Sequence, residues 1–345
     1  MLNRRQILAL GASATAMPFI SSKGFSQTPA KEIRLMTWGG NWQDIFRPVA
    51  QEFEKDTGTR VEFVVQSGSG DGLNKLTAQR ANPQVDVWTS IASTVQAATK
   101  ADLLAKLDAA KIPHINEMPK EFVGDTGVSI WLSPRGIFYR KDLAPFELKT
   151  WKDLWDPRLK DKVGVTLALD RGSFLIVSAL LNGGNERKID AGFENMQKLK
   201  PNIHTVYSTD PESIKLLETG EVAVVAWGAL PNVYRHLGPD SKYAFVMPTP
   251  HFLADIPVSI VKGRGDAQQA AAEKFVEYML QPKYQTIMAS IAGTVPANPK
   301  AAVPEKLKSI IPPLPIKEVY SVDWAYVNSQ YSSWEDRWAR EVQTR

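Results

Sequence analysis

The chain has 345 residues, 41 basic and 37 acidic side chains, and no cysteine. Its length suits two domains of ordinary size, and without cysteine it can form no disulfide, thiolate nucleophile or zinc–cysteine site. Without the N-terminal Arg4, Arg5 and Lys23, 38 basic and 37 acidic residues remain. This near-neutral balance argues against nucleic acid as a partner, because phosphate binding needs a clustered basic surface.

Residues 1–30 are predicted to be a twin-arginine export signal. The pair Arg4-Arg5 precedes an apolar run from Ile7 to Ile20, which is the pattern of such leaders. The run is shorter than the roughly 20 residues needed to span a bilayer. A frayed helix or a membrane anchor is the alternative. With cleavage after Ser26 or Ala30 and no lipid-anchor cysteine, the sequence predicts a soluble periplasmic protein.

Strand-like and helix-like segments then alternate, which favours a mostly parallel α/β architecture. In the first helix-like segment, apolar side chains share one face at helical spacing: Ile45, Phe46, Val49, Ala50 and Phe53. The patterns predict strands over residues 33–37, 60–66, 85–89, 163–167, 203–207, 222–227, 243–246 and 256–261. They predict helices over residues 42–56, 73–80, 93–104, 174–181, 191–200, 210–219, 267–280, 282–292 and 324–342. Crossings between two lobes are expected near residues 131–139 and 248–256.

Five short segments together resemble a known family. They are Thr-Trp-Gly-Gly-Asn-Trp at 37–42, Phe-Glu-Lys-Asp-Thr-Gly at 53–58, Val-Asp-Val-Trp at 85–88, Trp-Lys-Asp-Leu-Trp-Asp-Pro at 151–157 and Leu-Glu-Thr-Gly-Glu-Val at 217–222. In this order and spacing, the set resembles family 1 of the bacterial extracellular solute-binding proteins, in its polyamine-type (spermidine/putrescine-binding-like) branch. The resemblance extends over residues 31–300.

The resemblance implies an α/β fold of the periplasmic binding protein type II, with two α/β lobes, crossing hinge strands and a cleft between them. It implies that lobe 1 comprises residues 31–132 plus 254–300, and that lobe 2 comprises residues 133–253 plus 301–345. Such a protein captures a small-molecule solute by hinge closure and delivers it to an ABC permease in the inner membrane. We therefore expect a monomer with no cofactor, no metal and no nucleic-acid partner.

Four candidate ligand-binding residues belong to the predicted first lobe. Trp38 and Gly39 follow the first strand, where an indole wall and a close backbone approach suit a ligand. A tight turn around a core tryptophan is the alternative. Asp86 is expected at the end of a strand that points at the cleft, with Ser90 shortly after it. Asp86 has the alternative role of accepting hydrogen bonds from backbone amides in its turn.

Five further candidates follow along the chain. Arg135 lies in the predicted first crossing strand, where the family often has a small hydroxyl residue. A cation here suits a carboxylate or phosphonate and repels a polyamine, with pairing to an acidic neighbour at the hinge as the alternative. Asp170, next to Arg171, corresponds by resemblance to an acidic ligand for an amine, with helix capping as the alternative. Trp227 corresponds to a ligand-stacking tryptophan, and Asp255 approximates the carboxylate of the polyamine-type branch.

The preferred function is capture of a small amine or an amine-bearing zwitterion. A carboxylate or phosphonate ligand, thiamine and ferric ion on the same fold are alternatives, although the Tyr-Tyr pair of ferric-binding relatives does not occur. An exported enzyme is disfavoured. The only histidines are isolated, at His114, His204, His236 and His251, and there is no His-Glu-x-x-His or Gly-x-Ser-x-Gly motif.

Overall fold

The computed structural model describes residues 30–343, apart from the side chain of Asn41. The Arg-Arg pair and the apolar run of the predicted export signal lie outside the described residues. The strands in this range are β1 (Glu32–Trp38), β2 (Arg60–Gln66), β3 (Val87–Thr89), β4 (Gly127–Arg140), β5 (Val163–Val165), β6 (Ile203–Val206), β7 (Val224–Ala229), β8 (Tyr243–Val246), β9 (Phe252–Ile260) and β10 (Val295–Pro296).

The α-helices are α1 (Asn41–Thr57), α2 (Ser69–Ala78), α3 (Ala92–Lys100), α4 (Ser173–Leu181), α5 (Asp190–Leu199), α6 (Asp210–Thr219), α7 (Leu230–Val233), α8 (Asp266–Leu280), α9 (Pro282–Ala292), α10 (Glu305–Lys308) and α11 (Trp324–Trp338). A π-helical turn, Ala339–Gln343, continues α11. Short 3₁₀ helices lie at Pro113–Glu117, Lys120–Phe122, Trp151–Trp155, Pro157–Leu159, Leu169–Gly172, Glu186–Lys188, Lys200–Asn202 and Tyr234–His236. Between residues 30 and 343, every helix is too short or too polar to cross a membrane.

Most of the predicted elements occur, and β2, β8, α6 and α9 have the predicted bounds. Helix α2 begins at Ser69, before the predicted start at residue 73. Its glycine-containing first turn is stabilised by Asp71, which accepts hydrogen bonds from the backbone nitrogen of Ser67 and from Lys75 Nζ, both at 2.8 Å. Strand β9 also begins early, at Phe252, because its first residues pair with β4.

The strands form one sheet in the order β2-β1-β3-β9-β4-β7-β5-β6, with β8 and β10 also paired to β4. Strand β1 is parallel to β2 and β3, and β5 is parallel to β6 and β7. The central strands β9 and β4 are antiparallel to each other and to their other neighbours. The prediction of a mostly parallel sheet is therefore wrong for the centre, where the chain crosses in opposite directions.

Buried apolar side chains form separate clusters on the two sides of the central strands. We call the part built around Phe53 and Phe275 lobe 1, and the part built around Phe174 and Phe193 lobe 2. Helix α11 contributes Trp338 to the lobe 2 cluster. Burial of these large side chains is the main stabilising contribution within each lobe. The C-terminal segment therefore packs on lobe 2.

Strand β4 runs through the junction of the two lobes. It pairs with β9 from Gly127 to Arg135, and with β7 and β8 towards its C-terminal end. In this register Leu132 lies opposite Asp255, and Arg135 lies opposite Phe252. The paired strands thus carry Arg135 and Asp255 to the same junction.

Candidate ligand-binding site

A cavity of about 870 Å³ lies between lobe 1 and lobe 2. Lobe 1 contributes the start of α3 and the 3₁₀ turn at Lys120–Phe122 to the cavity wall, and strands β4 and β9 form the junction. Another side is closed by residues 314–322, which have no regular secondary structure and which we call the irregular wall. Four of the nine predicted site residues line it: Arg135, Asp170, Trp227 and Asp255. Its volume falls in the usual range of ligand pockets, roughly 300–1,000 Å³.

Asp170 and Arg135 form an ion pair in this cavity. Arg135 Nε donates to Asp170 Oδ2 at 2.6 Å, and Arg135 Nη2 donates to Oδ1 at 3.1 Å. Arg135 Nη1 also donates to Ser133 Oγ at 3.1 Å. Two parallel charge-assisted hydrogen bonds are the strong, geometrically specific form of this pair. The alternative considered from sequence, an arginine paired with an acidic neighbour, is the arrangement found.

An unusual backbone turn presents Asp170 to the cavity. Asp170 and Arg171 both have φ of 49°, and Gly172 has φ of 80°. Non-glycine residues in this left-handed region cost about 1–3 kcal/mol each and persist only where surrounding contacts hold them. Here Ser173 Oγ donates to the carbonyl of Asp170 at 2.7 Å at the start of α4. The turn thus fixes the position of the Asp170 carboxylate in the segment that links β5 to α4.

Trp227, in strand β7, forms part of the lobe 2 wall. Its Nε1 donates to Asp170 Oδ2 at 2.9 Å. Its ring stacks on Trp151 with centroids 5.7 Å apart, and Phe252 meets it edge-on at 5.3 Å. The residue is only 1% exposed. Trp227 therefore presents an indole edge to the cavity, and not the open stacking face expected from sequence.

A polar network behind this wall holds Trp227 and Arg135. The hydroxyl of Tyr207 donates to the backbone oxygen of Trp227 at 2.7 Å, and burial raises the pKa of Tyr207 well above its usual value. Burial also raises the pKa of Asp210 at the start of α6; Arg135 opposes this shift and Asp170 adds to it. Arg135 therefore pairs with Asp170 and is close enough to Asp210 to offset part of the effect of its burial.

Asp255 occupies a different environment, on the part of β9 next to lobe 1. Ser129 Oγ donates a hydrogen bond to Asp255 Oδ1. Burial raises the pKa of Asp255 from 3.8 to about 6, and the bond from Ser129 only partly offsets it. No cation of residues 30–343 contributes to that shift. A ligand ammonium placed here would compensate a costly buried charge.

Several polar groups of the cavity were missed by sequence reasoning. Ser93, in the first turn of α3, is 3% exposed, and its hydroxyl has no hydrogen-bond partner among the residues described. The cap of α3 is Ile91, which supplies no side-chain acceptor. The helix was predicted to start at Ser93, one residue after its observed start at Ala92, and nothing in the sequence pattern indicates that this hydroxyl lies at the cavity. Glu121 and Asn298 also line the cavity, from segments without a motif.

Tyr320 belongs to the irregular wall, for which the sequence has no signal. Its backbone nitrogen donates to the carbonyl of His251 at 2.8 Å, and its hydroxyl bonds Glu186. Its ring lies 5.5 Å from that of Phe252. These are long-range contacts, so only the folded chain brings this segment to the cavity.

The structure does not bring Trp38, Gly39 or Ser90 to the cavity. The ring of Trp38 packs 5.1 Å from that of Trp42 on the lobe 1 core, which is the alternative considered from sequence. A Cβ added to Gly39 would lie 3.2 Å from Val65. Ser90 is fully buried beside β9 and donates its backbone N–H to Pro257.

Asp86 and Arg171 also lie outside the cavity lining. Asp86 precedes β3, so the expectation that it ends a strand at the cleft is wrong. Its carboxylate accepts from the backbone nitrogen of Arg34 and from Arg264 Nε, both at 2.7 Å. The bond from the backbone of Arg34 is close to the alternative considered from sequence, in which Asp86 accepts hydrogen bonds from backbone amides. The guanidinium of Arg171 lies 5.2 Å from the ring centre of Tyr331 on α11.

The lobes, the crossing strands and the cavity between them define a two-lobed binding protein. The lining combines one arginine with carboxyl groups and a large apolar surface, which suits holding a small polar molecule. In the part of the chain that the structure describes, no three His, Asp or Glu side chains are grouped to hold a metal ion.

Residues 49–311 match the family of bacterial extracellular solute-binding proteins, and the chain belongs to that family. It is similar to a periplasmic protein of Salmonella typhimurium named for 2-aminoethylphosphonate binding, with 25% identity over 71% of this chain and 72% of the relative. It is also similar to the spermidine/putrescine-binding periplasmic protein of that organism, with 21% identity over 73% of this chain and 75% of the relative.

The fold is shared with solved structures. An ABC transporter substrate-binding protein from Bradyrhizobium japonicum USDA 110 superposes with a TM-score of 0.77 at 20% identity, covering 90% of this chain and 99% of that one. The family match makes the chain a solute-binding receptor and not an enzyme, and the likeness to the solved structure shows that it shares this fold.

Proposed function

We propose that this chain is the periplasmic receptor of an ABC importer and that it captures a small amine-bearing zwitterion. The observation that carries the proposal is the presence, in one cavity, of a guanidinium at Arg135 and of a carboxylate at Asp255 that has no cationic partner among residues 30–343. The two groups lie on paired strands at the lobe junction. A ligand with an acid group and an ammonium matches both.

The acid end of the ligand is assigned to Arg135. An arginine has five N–H donors, and the bonds to Asp170 and Ser133 engage three of them. The remaining donors suit a planar carboxylate or a phosphonate. Ser93 and the uncapped start of α3 add further donors on the lobe 1 side.

The amine end is assigned to Asp255. A charge-assisted hydrogen bond contributes about 1.5–3 kcal/mol. The names of the two relatives support an amine, since 2-aminoethylphosphonate, spermidine and putrescine all carry one. Of these, the aminophosphonate also has the acid group that Arg135 would bind.

The proposal extends to export and movement. Residues 1–30 are proposed as a cleaved twin-arginine signal. Residues 31–132 plus 254–300 and residues 133–253 plus 301–345 are proposed as lobes that close on the solute as a monomer and then dock on the permease. The packing of α11 on the lobe 2 core supports the assignment of the last segment.

A thermal-shift screen tests this function. Purified protein is incubated with 2-aminoethylphosphonate, 4-aminobutyrate, putrescine, spermidine, thiamine or ferric ion. A ligand at one hundred times its dissociation constant adds about 2.7 kcal/mol of stability. We expect the amino acids and aminophosphonates to raise the melting temperature most, and to be recovered unchanged. A larger shift with thiamine or ferric ion, or conversion of the compound, would contradict the proposal.

A further inference from the structure

We propose that Arg135 is a built-in occupant of a cation site. Its guanidinium takes the place on Asp170 that a ligand ammonium would otherwise fill, and it thereby excludes diamines and polyamines. The inference rests on the proposed function and deepens it by naming the residue that sets the ligand class. Without the arginine, the site would accept an amine at Asp170. With the arginine in place, the site accepts an acid group at Arg135.

The contacts of Asp170 leave little room for a second cation. Its Oδ2 accepts from Arg135 Nε at 2.6 Å and from Trp227 Nε1 at 2.9 Å, and its Oδ1 accepts from Arg135 Nη2 at 3.1 Å. A carboxylate has about four acceptor positions. Three are therefore filled from within the protein, and the charge is already balanced.

Arg135 is also held in place. Its backbone lies inside β4, opposite Phe252 on one side and Ala229 on the other. The residue is 7% exposed, and its third donor group bonds Ser133. A soluble amine would have to displace a side chain that is tethered beside Asp170, whereas an added anion needs only its unused donors.

Removing the guanidinium would uncover a strongly electronegative pocket. Asp170 would keep the indole N–H of Trp227 as its donor, and Asp210 would lose the cation that offsets its burial. The carboxylate of Asp170 would then border a space vacated by a side chain of similar length to a short diamine, with Asp210 close enough to add to the negative potential. Such a pocket favours an ammonium, because a buried carboxylate needs a partner.

The test is a gain of function measured by titration calorimetry with putrescine and with 2-aminoethylphosphonate. Arg135→Ala should bind putrescine roughly tenfold to a hundredfold more tightly than the unchanged protein, the range that one charge-assisted hydrogen bond represents. It should lose affinity for the aminophosphonate by a similar factor. Adding Asp170→Asn to Arg135→Ala should abolish the new putrescine binding.

Arg264→Ala is the matched control, because Arg264 also pairs with a buried aspartate, Asp86, but outside the cavity. It should leave both affinities unchanged. Circular dichroism verifies folding, and if Arg135→Ala does not fold, Arg135→Gln removes the charge and leaves a shorter side chain, so it should also gain affinity for putrescine.

The outcomes separate the two proposals. If the unchanged protein and all variants bind none of the amines or aminophosphonates, the proposed function fails. If the unchanged protein binds the aminophosphonate but the folded Arg135 variants gain no putrescine affinity, the inference alone is overturned. The inference is also overturned if the unchanged protein already binds putrescine as tightly as the Arg135 variants do. It is overturned as well if neither Arg135 variant folds, since Arg135 is then a structural residue.

Discussion

Asp170 and Asp255 are both carboxylic acids lining one cavity, but their neighbours differ. Asp170 is paired with Arg135 and bonded by Trp227. Asp255 has a serine hydroxyl as its side-chain partner. A buried acid without a counter-charge shifts towards its neutral form, and burial raises the pKa of Asp255 to about 6. The carboxylate of Asp255 therefore responds to pH and to a cationic ligand, whereas that of Asp170 already has a cationic partner within the protein.

The first prediction concerns ligand binding at Asp255. Because burial raises the pKa of Asp255 to about 6, the group is ionised at pH 7.5 and largely protonated at pH 5. An ammonium binds the ionised form, so affinity for an amine-bearing ligand should fall up to about tenfold per pH unit below 6. Calorimetry between pH 5 and pH 8 measures this slope. Asp255→Asn should bind weakly throughout, without the slope.

The same group predicts a pH dependence of stability without ligand. The folded chain holds the proton of Asp255 more tightly than the unfolded chain does, so the free energy of unfolding should decrease as pH rises from 3.8 to about 6. The full effect is about 3 kcal/mol at most. Urea unfolding of Asp255→Asn should lack this decrease. Asp102→Asn, at an exposed carboxylate paired with Lys262, is the control that should retain the decrease. An unchanged pH profile of stability in Asp255→Asn would contradict the assignment of the decrease to Asp255.

Site residues could be predicted where a side chain follows a recognisable strand. Asp170 comes after the buried strand β5 of lobe 2, and this position leads to the cavity edge, while Trp227 lies within β7. The same rule was misapplied to Asp86, which stands before β3. A carboxylate at that end of the strand meets backbone amides and Arg264 instead of the cavity. Tyr320 could not be predicted, because its place depends on contacts with His251 and Glu186.

At the scale of elements, helix α11 supports the turn that carries Asp170. A Cβ at Gly172 would lie 3.3 Å from a ring carbon of Trp334, so the indole packs directly against this left-handed residue. Trp334 is 4% exposed and belongs to the lobe 2 cluster. The C-terminal helix therefore contributes to the geometry of a residue far from it in sequence.

The third prediction follows from this packing. Trp334→Ala should lower the free energy of unfolding by about 3–5 kcal/mol, the usual cost of removing a buried aromatic side chain. It should also weaken ligand binding, since the Asp170 turn loses its support. Chemical denaturation and calorimetry measure the two effects. Ser333→Ala, at the exposed neighbouring position, should change stability by about 0.5 kcal/mol or less. A Trp334→Ala protein of normal stability would contradict the packing argument.

Helices were easier to predict than the crossing strands, for a physical reason. Helix α1 has one buried face, and its apolar residues recur at helical spacing. Strand β4 is buried along nearly all of its length and contains Pro134, Arg135 and Gly136, so it shows no alternation of polar and apolar residues. The sequence predicts a crossing near residues 131–139, which lie within β4. The start of the strand at Gly127 and its antiparallel pairing could not be predicted, because they depend on the neighbouring strands of the sheet.

At the scale of the whole molecule, the cavity is large for the proposed ligand. A volume of about 870 Å³ suits a much bulkier molecule than an aminophosphonate. Arg135 and Asp255 lie on the two sides of the proposed lobe boundary. A zwitterion that contacts both would favour a form in which the lobes approach each other. Closure can be driven only by contacts that are better in the closed form.

The last prediction separates ligands that reach both lobes from ligands that reach one. Shifting a two-state equilibrium from 1:99 to 99:1 needs a preference of about 5.5 kcal/mol, while one charge-assisted hydrogen bond supplies only about 1.5–3. Small-angle X-ray scattering should therefore show a smaller radius of gyration with saturating 2-aminoethylphosphonate, and little change with ethylamine or methylphosphonate. An unchanged radius with the zwitterion would argue against closure. Full compaction with ethylamine alone would show that one carboxylate is enough, and that Arg135 does not contribute to holding the lobes together.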